Sequence, residues 1–252
     1  MSKPVLILVA AGSSTRIGMD KSGQKIKKEY LPLNGGTVLS EAAKAFISTL
    51  DFQIVAVTYP FSSNSDELNS NETKCKEALF ADPIVKNASC KFLFVPGGET
   101  RQKSVFEALQ KINAELPEDE NPVVFIHDGA RPFVKSETIS LTERAAQEFG
   151  AAAPGLRPID TQKEIDENGF IKRHLERANL IAIQTPQAFK IQHILEAHSE
   201  AAEFTKEFTD DTEIWDEYAT KHKNLKLSHV KIVMGDPENK KITYQNDLDF
   251  IK

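Results

Sequence analysis

Chemistry is concentrated first in Val5–Leu31, VLILVAAGSSTRIGMDKSGQKIKKEYL. A short apolar run there gives way to the small residues Ala10-Ala11-Gly12-Ser13-Ser14 and then to Arg16, Lys21, Lys25, Lys27 and Lys28. Small residues let backbone N–H groups approach an anion closely, and fixed cations offset its charge. The order therefore suits a phosphate-rich ligand at the carboxyl end of a strand. Neither G-x-x-x-x-G-K-[ST] nor G-x-G-x-x-G is present, so the familiar phosphate fingerprints do not explain it. The plainer alternative is a surface βα turn with solvated lysines.

Three later stretches carry comparable chemistry. In Val95–Ser104, VPGGETRQKS, a strand ends in Gly97-Gly98 and a helix begins. The glycines expose main-chain groups that can read a flat base edge, and Ser104, one turn into the helix, supplies a hydroxyl. In Phe125–Pro132, FIHDGARP, Asp128 can bind Mg²⁺ or a ribose hydroxyl and Arg131 can turn toward a phosphate; a structural Asp–Arg pair pinning the turn is the alternative. His127 alternates with core residues and reads as a buried, satisfied histidine. Asn239–Thr243 places Lys241 in a late loop, where a lysine is ordinarily just solvated. Thr209-Asp210-Asp211 reads as a helix cap rather than a metal site.

The elements that must position these groups alternate. Strands are expected at Val5–Val9, Phe52–Val57, Cys90–Val95 and Pro122–His127, and helices from Thr37, over Ser65–Phe80, Thr100–Glu115 and Ser136–Gly150. That rhythm implies a mostly parallel sheet with helices on both faces. After a further strand at Ala151–Leu156 the pattern changes. Thr161–Leu175 alternates on either side of Asn168-Gly169, which predicts a β-hairpin arm projecting from the sheet. Gln184-Thr185-Pro186-Gln187 interrupts regular structure. A helix over Ile191–Phe204, another beginning at Asp210-Asp211, a strand at Val230–Met234 and a helix from about Tyr244 to Ile251 complete the reading.

Composition narrows the class. A chain of 252 residues, 40% hydrophobic, can bury a substantial core. Its 31 basic and 37 acidic residues give a net charge of −6, which argues against nonspecific binding to nucleic acid or an anionic membrane. With no secretory signal pattern and no long apolar run, a cytoplasmic location is expected. Cys75 and Cys90 lack metal-ligand spacing and read as packing residues.

The segments AAGSSTR, KKEYLPL, PGGETRQKSV, HDGARPF, DTQK, IQTPQAF, TDD and NKKIT, in this order, resemble the 2-C-methyl-D-erythritol 4-phosphate cytidylyltransferases from Ala10 to Leu248. The resemblance implies one Rossmann-like nucleotidyltransferase domain over 1–252, with a dimerisation arm at about 157–178. It also implies a homodimer, CTP as co-substrate, Mg²⁺ as metal and diphosphate as by-product. It assigns Arg16 and Lys28 to the triphosphate and reacting phosphorus, with Lys241 as a third cation. By the same resemblance Ala10, Ala11, Gly12 and Ser13 are expected to form the nucleotide loop, and Gly97, Gly98, Glu99 and Ser104 fall where the family surrounds cytosine. Asp128 and Ala130 fall near the ribose and metal. Arg131, Thr161, Arg177 and Thr185 match positions linked to the sugar phosphate, Thr161 and Arg177 arriving from the partner's arm. The chain departs from the family pattern in its longer, lysine-richer segment between Arg16 and Lys28, which leaves Lys25 or Lys27 as substitutes for Lys28. It departs also at Gln162, Thr212 and Lys240. A pentitol phosphate such as ribitol 5-phosphate is the alternative acceptor, and a nucleotide-binding scaffold without turnover is the alternative of another class.

Overall fold

Every residue of β1 (Val5–Val9) is apolar because both faces of the strand are covered. Val5 and Ile7 point into one core and Leu6 and Leu8 into the other, the two-residue alternation of a strand buried on both sides. The computed structural model describes residues 2–14, 26–204, 206, 208–244 and 246–247. After β1 come the short pair β2 (Pro32–Leu33) and β3 (Gly36–Thr37), then α1 (Val38–Ile47), β4 (Ile54–Tyr59), α2 (Ser65–Leu79), α3 (Pro83–Lys86), β5 (Lys91–Pro96), α4 (Arg101–Asn113), β6 (Val123–Asp128), α5 (Ser136–Phe149) and β7 (Ala151–Leu156). They are followed by β8 (Lys163–Ile165), β9 (Ile171–His174), β10 (Ala182–Ile183), β11 (Gln187–Lys190), α6 (Ile191–Ala201), α7 (Asp211–Lys221) and β12 (Lys231–Met234).

The main sheet runs β10-β7-β11-β6-β1-β4-β5, with β12 also paired to β7. β1 pairs in parallel with β4 on one side and β6 on the other, so the chain reverses its direction of travel across the sheet between β5 and β6. Such a reversal opens a crevice beyond the carboxyl ends of the strands, where open α/β sheets bind ligands. Residues from α4, α6 and α7 cover one face, and residues from α1, α2 and α5 cover the other.

Local chemistry explains the boundaries. Thr37 closes a capping box with Ser40 at the start of α1, Thr100 accepts from the Lys103 N–H to start α4, and Gly150, at φ +89°, ends α5 in the left-handed region. The hairpin expected around Asn168-Gly169 is present as β8–β9, a two-stranded sheet separate from the main one, with Gly169 at φ +84°. Its flank and tip expose Ile159, Ile165, Phe170 and Ile171.

Sequence pattern predicts no strand at Gln187–Lys190, yet β11 inserts there antiparallel between β6 and β7. Gln187, Ala188 and Phe189 are all buried, so no polar alternation marks this short strand, and the preceding Pro186 reads as a break. The closing helix expected from about Tyr244 falls mostly outside the described residues.

Candidate active site

The crevice at the sheet reversal is a cleft of about 560 Å³, walled by the segments that leave β1, β4, β5 and β6. The loop after β1 contributes Ala11, Gly12 and Ser13, the turn before α4 contributes Gly98 and Glu99 with Ser104 behind them, and the end of β6 contributes Asp128 and Ala130. Lys28 and Lys241, from opposite ends of the chain, line the same cleft. Arg16, Lys21 and Lys25 lie outside the described residues.

Close backbone approach builds the walls. A methyl group at Gly97 would stand 2.3 Å from Ala11 Cβ and 2.9 Å from Ser104 Oγ, so only glycine lets the two loops meet. Gly97 itself lies behind the lining. The Ser104 hydroxyl accepts from the Gly98 N–H at 3.0 Å and donates to the Thr100 carbonyl at 2.9 Å, which fixes the turn. Ala10 sits beneath the loop, its N–H donating to Thr58 Oγ1 at 2.9 Å.

Lys28 begins a single 3-10 turn, Lys28–Tyr30, and is buried, with Nζ donating to the Ile242 carbonyl at 2.8 Å. Burial lowers its pKa below that of an ordinary lysine; Glu29 opposes the shift and the charge of Lys241 adds to it. Lys27 is placed differently. Its ammonium is 3.1 Å from Glu29 Oε2 and bonds the Gly12 carbonyl, so it braces the loop while Lys28 occupies the cleft.

Lys241 is delivered by a docked loop. Ile242 N–H donates to the Ala130 carbonyl at 2.9 Å, and Asn239 Nδ2 donates to the Thr185 carbonyl at 2.8 Å. Lys241 Nζ then stands 2.9 Å from Asp128 Oδ2. Arg131 Nε lies 3.4 Å from the same oxygen and its Nη1 donates to the Asn239 carbonyl at 2.7 Å, while Arg101 Nε is 3.6 Å from Asp128 Oδ1. Burial alone would push the Asp128 carboxyl up, but Lys241, Arg101 and Arg131 overcome it and hold the group far below the usual carboxylate range.

The remaining groups divide between turn and arm. Thr185 is buried; its hydroxyl accepts from the Asp128 N–H at 3.2 Å and lies 3.0 Å from His127 Nδ1. His127 Nε2 is 3.0 Å from the Arg131 carbonyl, and burial pushes its pKa down to about 4. It is the core histidine its neighbours in sequence suggested, neutral and shaping the turn that carries Asp128. Thr161 and Arg177 are exposed and outside the lining of this chain's own cleft; Arg177 Nη1 donates to the Ile159 carbonyl. Within the helix cap expected at Thr209-Asp210-Asp211, Asp210 is the N-cap of α7, accepting from the Thr212 and Glu213 N–H groups.

Sequence reasoning gives no site role to Arg101, which lines the cleft, and only a helix-cap role to Asp211, which meets Arg101 Nη1 at 2.7 Å. The only signal was their presence inside PGGETRQKSV and TDD. Among the described residues no group of three or more His, Cys, Asp or Glu side chains could hold a metal ion by itself. The donor set instead fits a hard cation carried on phosphate oxygens and met by one carboxylate, because Asp128 Oδ1 has only the 3.6 Å Arg101 contact among the described residues.

A mostly parallel sheet with a ligand crevice at its reversal, two ammonium groups and a glycine turn able to read a base define a nucleotidyltransferase. The family model for 2-C-methyl-D-erythritol 4-phosphate cytidylyltransferase matches residues 5–251, and the chain belongs to that family. A Clostridium beijerinckii protein of that name is 35% identical over 96% of this chain and 93% of its own length. The Thermus thermophilus 2-C-methyl-D-erythritol 4-phosphate cytidylyltransferase superposes with a TM-score of 0.67 at 27% identity, covering 100% of this chain and 97% of that one. The 4-diphosphocytidyl-2C-methyl-D-erythritol synthase of Anaerococcus prevotii shares the fold, with a TM-score of 0.72 at 24% identity over 99% and 94% of the two chains.

Proposed function

We infer that this enzyme transfers CMP from CTP to 2-C-methyl-D-erythritol 4-phosphate, giving 4-diphosphocytidyl-2-C-methyl-D-erythritol and diphosphate in isoprenoid precursor synthesis. The observation that carries the reading is the meeting of Lys28, Lys241 and Asp128 in one cleft beside a glycine turn, in a member of this family.

The acceptor phosphate has a second pKa of about 6, so near pH 7 its oxygen attacks the α-phosphorus without a protein base. A new P–O bond forms, the bond to the bridging oxygen breaks, and diphosphate leaves with the electron pair. Negative charge spreads over the α-phosphoryl oxygens and the departing group, which is where Lys28, Lys241 and Arg16 act. This explains a cleft rich in cations and poor in nucleophiles. The loop after β1 cradles phosphates through its N–H groups, Gly98, Glu99 and Ser104 enclose cytosine with Gly97 packed behind them, and Asp128 with Ala130 meets the ribose. Asp128 and the CTP phosphates would hold Mg²⁺, which neutralises triphosphate charge when bound.

The acceptor is tested by incubating purified protein with CTP, Mg²⁺ and each sugar phosphate in turn while diphosphate is measured. Methylerythritol phosphate is expected to be the preferred substrate. Faster release with ribitol 5-phosphate would reassign the acceptor, and CTP binding without release from either would mean a scaffold.

The whole chain 1–252 is proposed to act as one cytidylyltransferase domain in the cytoplasm. Among the described residues no helix is long and apolar enough to cross a membrane. Four large apolar side chains exposed around the hairpin support dimerisation through the arm at about 157–178, with Thr161 and Arg177 reaching the partner's sugar phosphate beside Arg131 and Thr185. Inactive Lys28→Ala and Thr161→Ala chains, mixed, should then regain activity, because each hybrid dimer holds one intact site. No recovery despite demonstrated subunit exchange would count against a shared site.

The lowered pKa of Lys28 also predicts a pH profile. Its ammonium must be charged to bind phosphate, so kcat/KM falls as pH rises through a value below the ordinary 10.5 of lysine. A profile flat to that pH would contradict the role.

A further inference from the structure

We infer that Asp211 and His198 form a buried mount that holds Arg101 against Asp128 and the start of α4, making Arg101 a positioning residue that acts on the nucleotide through Asp128 and the base-reading turn. The inference rests on the cytidylyltransferase reading above. Arg101 is the first residue of α4, directly after Gly97–Thr100, so whatever fixes its side chain also fixes the turn. Its Nη1 donates to Asp211 Oδ2 at 2.7 Å, while its Nε faces Asp128 Oδ1 at 3.6 Å. One planar guanidinium thus spans from the interior to the cleft carboxylate, a reach that needs a rigid fork rather than a point charge.

Asp211 is fixed in turn from three directions. It is fully buried at the start of α7, its N–H donates to Gln187 Oε1 at 3.2 Å, and its second oxygen lies 3.0 Å from His198 Nε2. His198, also fully buried, stacks on Phe106 with ring centroids 6.2 Å apart and planes inclined by 10°. Among the described residues its Nδ1 has no hydrogen-bond partner, so the imidazole's one polar contact is Asp211. His198 on one carboxylate oxygen of Asp211 and Arg101 on the other make an ordered chain from α6 through α7 to α4. An ion pair kept only for stability needs no such chain, since apolar packing generally serves as well.

Asp211→Asn and Arg101→Lys test this in the full-length enzyme, with CTP and sugar phosphate varied separately and thermal unfolding recorded in parallel. Each variant is expected to raise KM for CTP by ~10-fold or more and lower kcat, while KM for the sugar phosphate stays within about twofold. The double variant should be no worse than the poorer single one, because both remove the same mount. Arg101→Lys keeps the positive charge at the cleft, so it carries the test should Asp211→Asn fail to fold. Lowered thermal stability with unchanged kcat and both KM values would mean a purely structural pair and overturn the inference. Equal loss for both substrates, or fully additive losses in the double variant, would overturn it as well. Failure of the wild-type protein to release diphosphate would instead remove the underlying functional reading.

Discussion

Lys28→Ala is expected to lower kcat by roughly 10²-fold or more, about 3 kcal/mol of transition-state stabilisation, by analogy with the loss of one preorganised electrostatic contact elsewhere. The side chain is buried and its ammonium is aimed by the Ile242 carbonyl, so it needs no reorganisation as charge develops on the α-phosphoryl group. Lys27 cannot move in to replace it while its own ammonium is bound to Glu29 and the Gly12 carbonyl. Steady-state rates of diphosphate release check the prediction. A Lys28→Ala enzyme with unchanged turnover would refute the assignment, whereas equal loss in Lys27→Ala would show that the two lysines act as a pair.

The second large effect falls on stability as well as rate. Asp128→Asn leaves Lys241, Arg131 and Arg101 facing one another without their common counter-charge, and breaking a buried pair from one side costs about 3–5 kcal/mol; the partly exposed lysine and Arg101 place this at the lower end. The folded carboxyl lies below its unfolded value of about 3.9, so its contribution is fully present above that pH and is lost as pH falls through the acid range. Urea unfolding should therefore give a gap of about 3 kcal/mol between wild type and Asp128→Asn at pH 6 that narrows toward pH 3. A gap that stays constant would mean that the carboxylate's charge is not what stabilises the turn.

Much of this was legible in the sequence, for identifiable reasons. β1, β4, β5 and β6 are short apolar runs bounded by turns, and the hairpin is signalled by Asn168-Gly169, whose glycine takes the left-handed backbone of the turn. Lys241 was legible only through the resemblance. Its own neighbours, Asn239, Lys240 and Ile242, describe a solvated loop, and its place in the cleft depends on the Ile242 and Asn239 hydrogen bonds to Ala130 and Thr185. Such docking is invisible to local periodicity.

What escaped was non-local. The β11 strand carries no alternation because both of its faces are covered, Phe189 entering one core and Ala188 the other, and its antiparallel pairing with β6 and β7 cannot be read from four residues. Asp211 sits in a motif whose obvious use is to start a helix, and Asp210 does that work; the buried partner role of Asp211 emerges only when α4 and α7 come together. Thr185 carries a substrate expectation from the family pattern, and its buried contacts with the Asp128 N–H and His127, which tie it to the turn carrying Asp128, are equally non-local.

The proposed function requires cations from distant parts of the chain to converge on one nucleoside triphosphate. A crystal structure with an unreactive CTP analogue and the sugar phosphate tests it most directly. Phosphate oxygens are expected within about 3 Å of both Lys28 Nζ and Lys241 Nζ, with cytosine against the Gly97–Glu99 turn. A triphosphate bound elsewhere, or one that meets neither lysine, would contradict it.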